Sequence, residues 1–307
     1  MVRVSLYKKT YTFFAVTFSS ALFATLLSGI SIAAESDAIT QGKVPVEVKT
    51  DRVHSSPSPP AQPDRITGEY LKGYFSDTGK ILVSPTNWDR YDWLKAGLVI
   101  GTATGIYYAD SDIRNFSQRN QSSAGNNAAT VGNALGNPFY VLPPLGLFYL
   151  YGHTQDDPKA RRTALLATES LVISGTFTYA IKLAAQRPRP FTGESATTWD
   201  GPGGKNSDPS FPSIHTATAF SVASVLSEEY GHNPYVPPLA YGLATLTGLA
   251  RINDNKHWAS DVFIGGAIGY FVGKAVVRSH TGQADSNVKI LPASIQNGYG
   301  LMALYRF

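Results

Sequence analysis

Long apolar stretches separated by polar breaks run through the chain. Six of them read as helices: Trp93–Ala109, Phe139–Tyr151, Lys159–Ala185, His215–Glu229, Leu239–Ala250 and Trp258–Val277. Pro143-Pro144 interrupts the second of these. Residues 116–137, with many Asn, Gly and Ser, read as an irregular segment with room for a short helix. Residues 191–211, around Gly201-Pro202-Gly203-Gly204, read as a long loop, and loops of that length inside a domain are usually functional or disordered. The charge-free runs inside the helices are short: 14 residues in Ala96–Ala109 and 12 each in Ser170–Ile181 and Val262–Gly273. Runs of about 10–14 residues suit buried core helices better than membrane spans. The expectation is a soluble all-α domain around an apolar core. A membrane-integral bundle is the alternative, because Gly and Ala also abound in membrane helices.

The pattern changes at the C-terminus. Val288–Ile295 and Tyr299–Phe307 flank Gln296-Asn297-Gly298, and Asn-Gly between two apolar runs signals a β-hairpin. A small hairpin capping the helical domain fits better than the last strand of a membrane barrel. A barrel needs about eight strands or more, and the rest of the chain reads as helix.

At the other end, Arg3, Lys8 and Lys9 precede a charge-free stretch, Thr10–Ala34, that closes on Ser31-Ile32-Ala33-Ala34. This is a secretory signal pattern with cleavage near Ala33 or Ala34; an uncleaved anchor is the other reading. The expected organisation is a signal peptide over 1–34, a proline-rich flexible leader over 35–67, a helical domain over 68–285 and a hairpin over 286–307. Export places the protein in the periplasm or cell envelope, with membrane association open. Without residues 1–34, the net charge of +4 falls to +1. No Lys/Arg stripe then remains to suggest nucleic-acid binding. Charged residues make up only 16% of the 307 positions, against about 25% in an average domain. That composition argues against a disordered interaction protein. The chain has no cysteine, which excludes disulfides, thiolate metal sites and cysteine nucleophiles.

Three segments carry candidate chemistry. Lys182, Arg187 and Arg189 gather at one helix end, before Pro190; they read as dipole compensation or as an anion clamp. Pro212-Ser213-Ile214-His215 opens a helix, as a plain N-cap or as an anion site beside a proton donor. His257 and Asp261, four apart, fall on one face if they share a helix. A carboxylate on one imidazole nitrogen leaves the other free to attack; such a pair can equally be a surface contact. Asp110-Ser111-Asp112 reads as structural rather than metal-binding.

Together and in this order, the segments resemble the type 2 phosphatidic acid phosphatase and vanadium haloperoxidase superfamily. Its pattern is Lys, six residues, Arg-Pro; then Pro-Ser-Gly-His; then Ser-Arg, five residues, His, three residues, Asp. The resemblance covers roughly residues 90–277. Ile214 stands in place of the family's Gly and Ala250 in place of its Ser, which bears on substrate fit more than on catalytic competence.

The resemblance implies an all-α helical bundle of the acid phosphatase/haloperoxidase type. It implies that Lys182, Arg189 and Arg251 bind phosphoryl oxygens, with Ser213 and main-chain groups near Ile214 completing the cradle. His257 would attack phosphorus, Asp261 orient it, and His215 protonate the leaving group. The substrate would be a phosphorylated small molecule or a lipid phosphate or pyrophosphate. No metal or cofactor is expected, and vanadate would inhibit. Two alternatives belong to other classes: a haloperoxidase holding vanadate as its cofactor, and a non-catalytic envelope protein docking through its C-terminal hairpin.

Overall fold

A computed structural model describes residues 64–204, 208–281, 288–295 and 298–305. The expected signal peptide and most of the leader lie outside the described residues. Among the described residues eight helices follow one another: α1 (Gly68–Val83), α2 (Arg90–Arg119), α3 (Ser123–Gly136), α4 (Pro138–Thr154), α5 (Pro158–Ala185), α6 (Ile214–Glu229), α7 (Val236–Asn253) and α8 (Ala259–Thr281). Short 3₁₀ turns occupy Ser84–Asn87 and Pro190–Thr192.

The helix starts are written in the sequence. Thr67, Asp89, Ser122, Asn137, Asp157 and Ser213 each accept a hydrogen bond from a first-turn N–H of the helix they precede. This corrects the irregular reading of 116–137. Ser122 and Asn137 there are caps, and the small residues between them form α3. Pro143 and Pro144 also lie inside α4 rather than interrupting it.

The centre of the bundle is the contact of α6 with α8. Gly265, Gly269 and Gly273 recur every fourth residue and so share one face of α8. A Cβ at these positions would run into the main chain at Ser213, Ala217 and Ser221 respectively. The two backbones therefore touch along three turns. Beside this seam, Leu145 of α4, Leu166 and Ile173 of α5, Val225 of α6, and Val272 and Val276 of α8 form a buried cluster.

The outside of the bundle departs from the expectation of a wrapped core. Tyr108, Phe139 and Tyr140 are 81%, 85% and 65% exposed. Leu98, Ile100, Leu147 and Leu150 of α2 and α4 also face outward. Apolar composition cannot separate a residue facing protein from one facing lipid, so the sequence alone does not reveal this surface. Two segments, Pro158–Thr192 and α8, are long and apolar enough to cross a membrane by length and composition.

At the C-terminus, Val288–Ile295 and Gly298–Tyr305 are extended and pair antiparallel, with Val288 opposite Tyr305 and Ile295 opposite Gly298. Residues 296 and 297, at the expected Asn-Gly turn, lie outside the described residues.

The seam yields a contrast between two glycines. Gly269→Val should lower the chemical-denaturation stability by about 1–3 kcal/mol or more through overpacking. Gly242→Ala, in α7, has nothing within 4 Å of the new methyl group. It should be neutral or stabilising by up to about 1 kcal/mol.

Candidate active site

The three motif segments meet at one end of the bundle. α5 carries Lys182 to its last turn and ends at Gln186 in left-handed conformation. The chain then passes through Pro188 and Pro190, which rules out further helix. Ser210 ties the far end of the 190–211 loop back: its N–H donates to Arg187 O at 2.7 Å and its hydroxyl to Pro188 O at 3.1 Å. Trp258 Nε1 donates to the same Pro188 carbonyl at 2.9 Å. The segments containing Lys182–Arg189, Ser213–His215 and His257 are thus fastened together by main-chain and side-chain bonds.

Within this frame, Lys182 is buried and Nζ donates to the carbonyls of Pro209 and Ser210 at 2.6 and 3.1 Å. Arg189 donates to Asp208 Oδ1 at 2.6 Å and to Lys256 O at 3.1 Å, and its Nη1 lies 3.5 Å from His257 Nε2. Arg251 donates to Asn133 Oδ1 at 2.6 Å, while its Nε is buried without a hydrogen bond. Its carbonyl receives the N–H groups of Lys256 and His257 at 3.0 and 3.2 Å. Ser213 is buried; its N–H donates to Asp261 O at 3.0 Å, and its Oγ caps α6. Ile214 and His215 occupy the first turn of α6, where N–H groups have no helical partner.

The expectation that His257 and Asp261 share a helical face is corrected. α8 begins at Ala259, so His257 precedes the helix. Asp261 sits in the first turn and accepts the N–H of Trp258 at 2.9 Å, as an acidic residue does in a capping box. His257 Nδ1 stands 3.6 Å from Asp261 Oδ2 and makes no hydrogen bond. Helix capping thus brings the carboxylate beside the imidazole without a hydrogen bond between them.

Asp261 owes its position to a network that the sequence reading undervalues. Arg187 is fully buried. It donates to Asp261 Oδ1 at 2.7 Å, Asp110 Oδ2 at 2.8 Å, Ser260 Oγ at 2.8 Å and the carbonyl of Ala196 at 2.6 Å. Asp110, from the middle of α2, also accepts the Ser260 N–H at 2.9 Å and the Ser260 hydroxyl at 2.5 Å. Tyr107, Trp199 and Trp258 surround the guanidinium at 4.9–5.3 Å. Asp110 is therefore structural, as expected, but it holds the site itself. Gly136 is another missed residue. A Cβ there would meet His215 O at 2.7 Å, so only Gly lets α3 reach the turn that carries His215. The tight packing of Ala250 against α3 is visible in the same way, since a Cβ at Gly132 would meet the Ala250 methyl at 2.9 Å.

The electrostatics favour an anion. Burial, and then the positive charges of Arg189, Lys182 and Arg251, hold His257 well below the usual imidazole range. Burial, followed by Arg251, Arg189 and Lys182, brings His215 down to about 4. Both histidines are therefore neutral near pH 7 in the free site. A neutral His257 retains a lone pair for attack.

Comparison with known proteins agrees with this geometry. Residues 163–284 match the model of the PAP2 superfamily. Over these residues the chain is similar to that superfamily. The match takes in all three motif segments and stops short of the leader, α1–α4 and the C-terminal strands. Over 66 residues the chain is 48% identical to the lipid A 1-phosphatase of Porphyromonas gingivalis; the stretch is 21% of this chain and 15% of that protein. Among solved structures, Aquifex aeolicus LpxE is 20% identical with a TM-score of 0.43, covering 55% of this chain and 94% of that one. The transmembrane PAP2-type phosphatidylglycerolphosphate phosphatase of Bacillus subtilis is 17% identical with a TM-score of 0.44, covering 71% and 96%.

Two outcomes are expected. Arg187→Ala leaves two buried carboxylates without their cation and should cost about 3–5 kcal/mol in denaturant unfolding. Asp110→Asn, which keeps the shape, should cost less. Second, a bound phosphate or vanadate should raise the pKa of His215 by supplying negative charge. Binding near pH 6 should then take up protons, seen as a buffer-dependent enthalpy in titration calorimetry, and His215→Ala should reduce that uptake.

Proposed function

We propose that this chain is a metal-independent phosphatase of the cell envelope that hydrolyses a lipid phosphate or pyrophosphate through a phosphohistidine. The observation that carries the reading is the convergence of Lys182 and Arg189, at and just after the end of α5, and Arg251 from the end of α7 around His257 and the first turn of α6. The three cations neutralise the phosphoryl oxygens, and Ser213 with the N–H groups near Ile214 and His215 completes the cradle. Phosphoryl transfer rests mainly on such positioning and charge neutralisation.

In the first step, His257 Nε2 forms a bond to phosphorus as the ester P–O bond breaks, and His215 gives its proton to the leaving oxygen. Asp261, held by Arg187, offsets the positive charge that develops on His257. In the second step, water attacks the phosphohistidine, His215 takes the water proton, and phosphate departs. Because free His215 is neutral near pH 7, its proton is acquired as the anionic substrate binds, or arrives with a monoanionic phosphate.

Two observations support a lipid substrate. The exposed apolar faces of α2 and α4 suit a protein lying in or against a bilayer. The relative that is 48% identical over 66 residues is a lipid A 1-phosphatase, which makes a lipid-borne phosphate the first substrate to test. Trp199, Phe211 and Phe191 lie on the loop beside the cations, with Trp199 and Phe191 41% and 48% exposed. They offer an apolar rim to an acyl chain. The haloperoxidase alternative uses the same anion cradle with vanadate held in it. The C-terminal strand pair plays no part in either reading.

The test is hydrolysis of a panel of lipid and soluble phosphates in excess chelator. Release of phosphate, inhibition by vanadate and no halide oxidation with peroxide and vanadate are expected. A requirement for added divalent ion would overturn the mechanism, and halide oxidation without phosphatase activity would favour the alternative. His257→Ala should abolish activity and covalent phosphate labelling on every substrate. His215→Ala should lose alkyl phosphate hydrolysis by about 10²–10⁴-fold yet retain more activity on an aryl phosphate, whose leaving group needs little protonation. The acid limb of kcat/KM should lie below pH 6, because His257 is depressed and must be neutral to attack.

A further inference from the structure

A second polar cluster lies at the other end of the bundle. His280 is in the last turn of α8, 19 residues beyond Asp261, which is about 28 Å along a helix. Its Nε2 lies 3.0 Å from Glu169 Oε2 of α5 and 3.1 Å from Asp77 Oδ2 of α1. All three ligand atoms fall within 4.8 Å of one another.

We propose that Asp77, Glu169 and His280 hold a divalent transition-metal ion of the zinc or manganese class, separate from the phosphoryl site. Four features support this. A ring nitrogen carries at most one hydrogen, so Nε2 cannot give a full hydrogen bond to both carboxylates, whereas one metal ion in their midst binds all three atoms. The two distances from Nε2, 3.0 and 3.1 Å, are close to those around tetrahedral zinc, where bonds of about 2.0–2.2 Å put ligand atoms roughly 3.2–3.5 Å apart. Glu169 is fully buried, and its second oxygen, Oε1, makes no hydrogen bond. Such an oxygen is costly unless it meets a cation or a water bound to one. The cluster also has the supporting bonds that orient metal ligands: Tyr70 Oη donates to Glu169 Oε2 at 2.9 Å, Lys80 Nζ to Asp77 Oδ1 at 2.8 Å and Ser279 Oγ to Asp77 Oδ2 at 3.1 Å.

Two carboxylates and one imidazole make a hard, three-ligand set with room for water, which fits Zn²⁺ or Mn²⁺ and not a thiolate-seeking ion. The His280 side chain is 15% exposed, so an ion can reach the site from solvent. The ligands come from α1, α5 and α8, so the ion clamps the first helix onto the bundle. No part of the catalytic cycle passes through it.

The full chain, purified in detergent and stripped with chelator, should be titrated with Zn²⁺ and with Mn²⁺ and its metal content measured. About one equivalent per chain should bind at micromolar or lower concentration. At a hundredfold excess over Kd the unfolding midpoint should rise by roughly 5–10 °C. Glu169→Gln and Asp77→Asn, which preserve shape, should each weaken binding by at least tenfold, and His280→Ala should abolish it. His257→Ala should bind as wild type does, which excludes the catalytic histidines as ligands. Zinc absorption spectroscopy on the wild type needs no variant and should show one imidazole with an oxygen shell. Failure of the wild type to bind either ion stoichiometrically, or unchanged binding in folded Glu169→Gln, overturns the proposal in favour of a protonated His280 bridging two carboxylates. Phosphatase activity in the stripped protein should persist either way, so this result and the phosphatase test fail independently.

Discussion

Arg187 is the interaction on which the site depends. One guanidinium, removed from water, meets a carboxylate from α2, a carboxylate and a hydroxyl from the start of α8, and a carbonyl from the 190–211 loop. A buried cation this well paired is costly to leave half-paired, so each partner is bound to keep its place. The ring wall of Tyr107, Trp199 and Trp258 keeps water away and so makes the bonds stiffer. The consequence is felt at His257. Asp261 cannot swing towards solvent while it is shared between Arg187 and the Trp258 N–H. The negative charge that faces the imidazole is therefore in place before any substrate arrives.

Much of this was legible in the residues. The helices at Lys159–Ala185, His215–Glu229 and Trp258–Val277 stand within a few residues of their expected bounds, because long apolar stretches and capping residues mark them directly. The motif residues Lys182, Arg189, Ser213, His215, Arg251 and His257 lie on three spaced segments that meet at one end of the bundle. Other features were hidden for physical reasons. Asp110 is 77 positions from Arg187, and nothing local distinguishes a carboxylate that will be buried against a guanidinium from one that ends a helix in solvent. Gly136 and the α8 glycines acquire their meaning only from the backbone that faces them. The small polar residues of 123–136 look like loop until their caps are seen. The outward aromatic faces of α2 and α4 look like core until the packing is known.

Those faces bear on how the two ends of the molecule relate. The cationic cradle sits where α5 ends and α8 begins, and the Asp77–Glu169–His280 cluster sits where α8 ends. Between them the bundle presents Leu, Ile, Phe and Tyr side chains outward. A polar cluster at each end and apolar flanks in the middle is the distribution expected of helices that exchange water for hydrocarbon along their length. The prolines inside α4 fit the same setting, where neighbouring helices can satisfy the carbonyls they release.

The glycine seam between α6 and α8 has a consequence for how such a protein diversifies. Gly265 places the main chain of α8 against that of Ser213, two residues before His215 and one helical turn after Asp261. The separation of His215 and His257 is thereby set by backbone against backbone, with no side chain as a spacer. Side-chain drift elsewhere in the bundle leaves that separation unchanged. The rim residues Phe211 and Phe191, carried on a loop rather than on the seam and outside the ring wall of Arg187, are free to vary in size and polarity. The two histidines and the loop rim are thus carried on separable parts of the chain, one held in register by glycine and the other open to change.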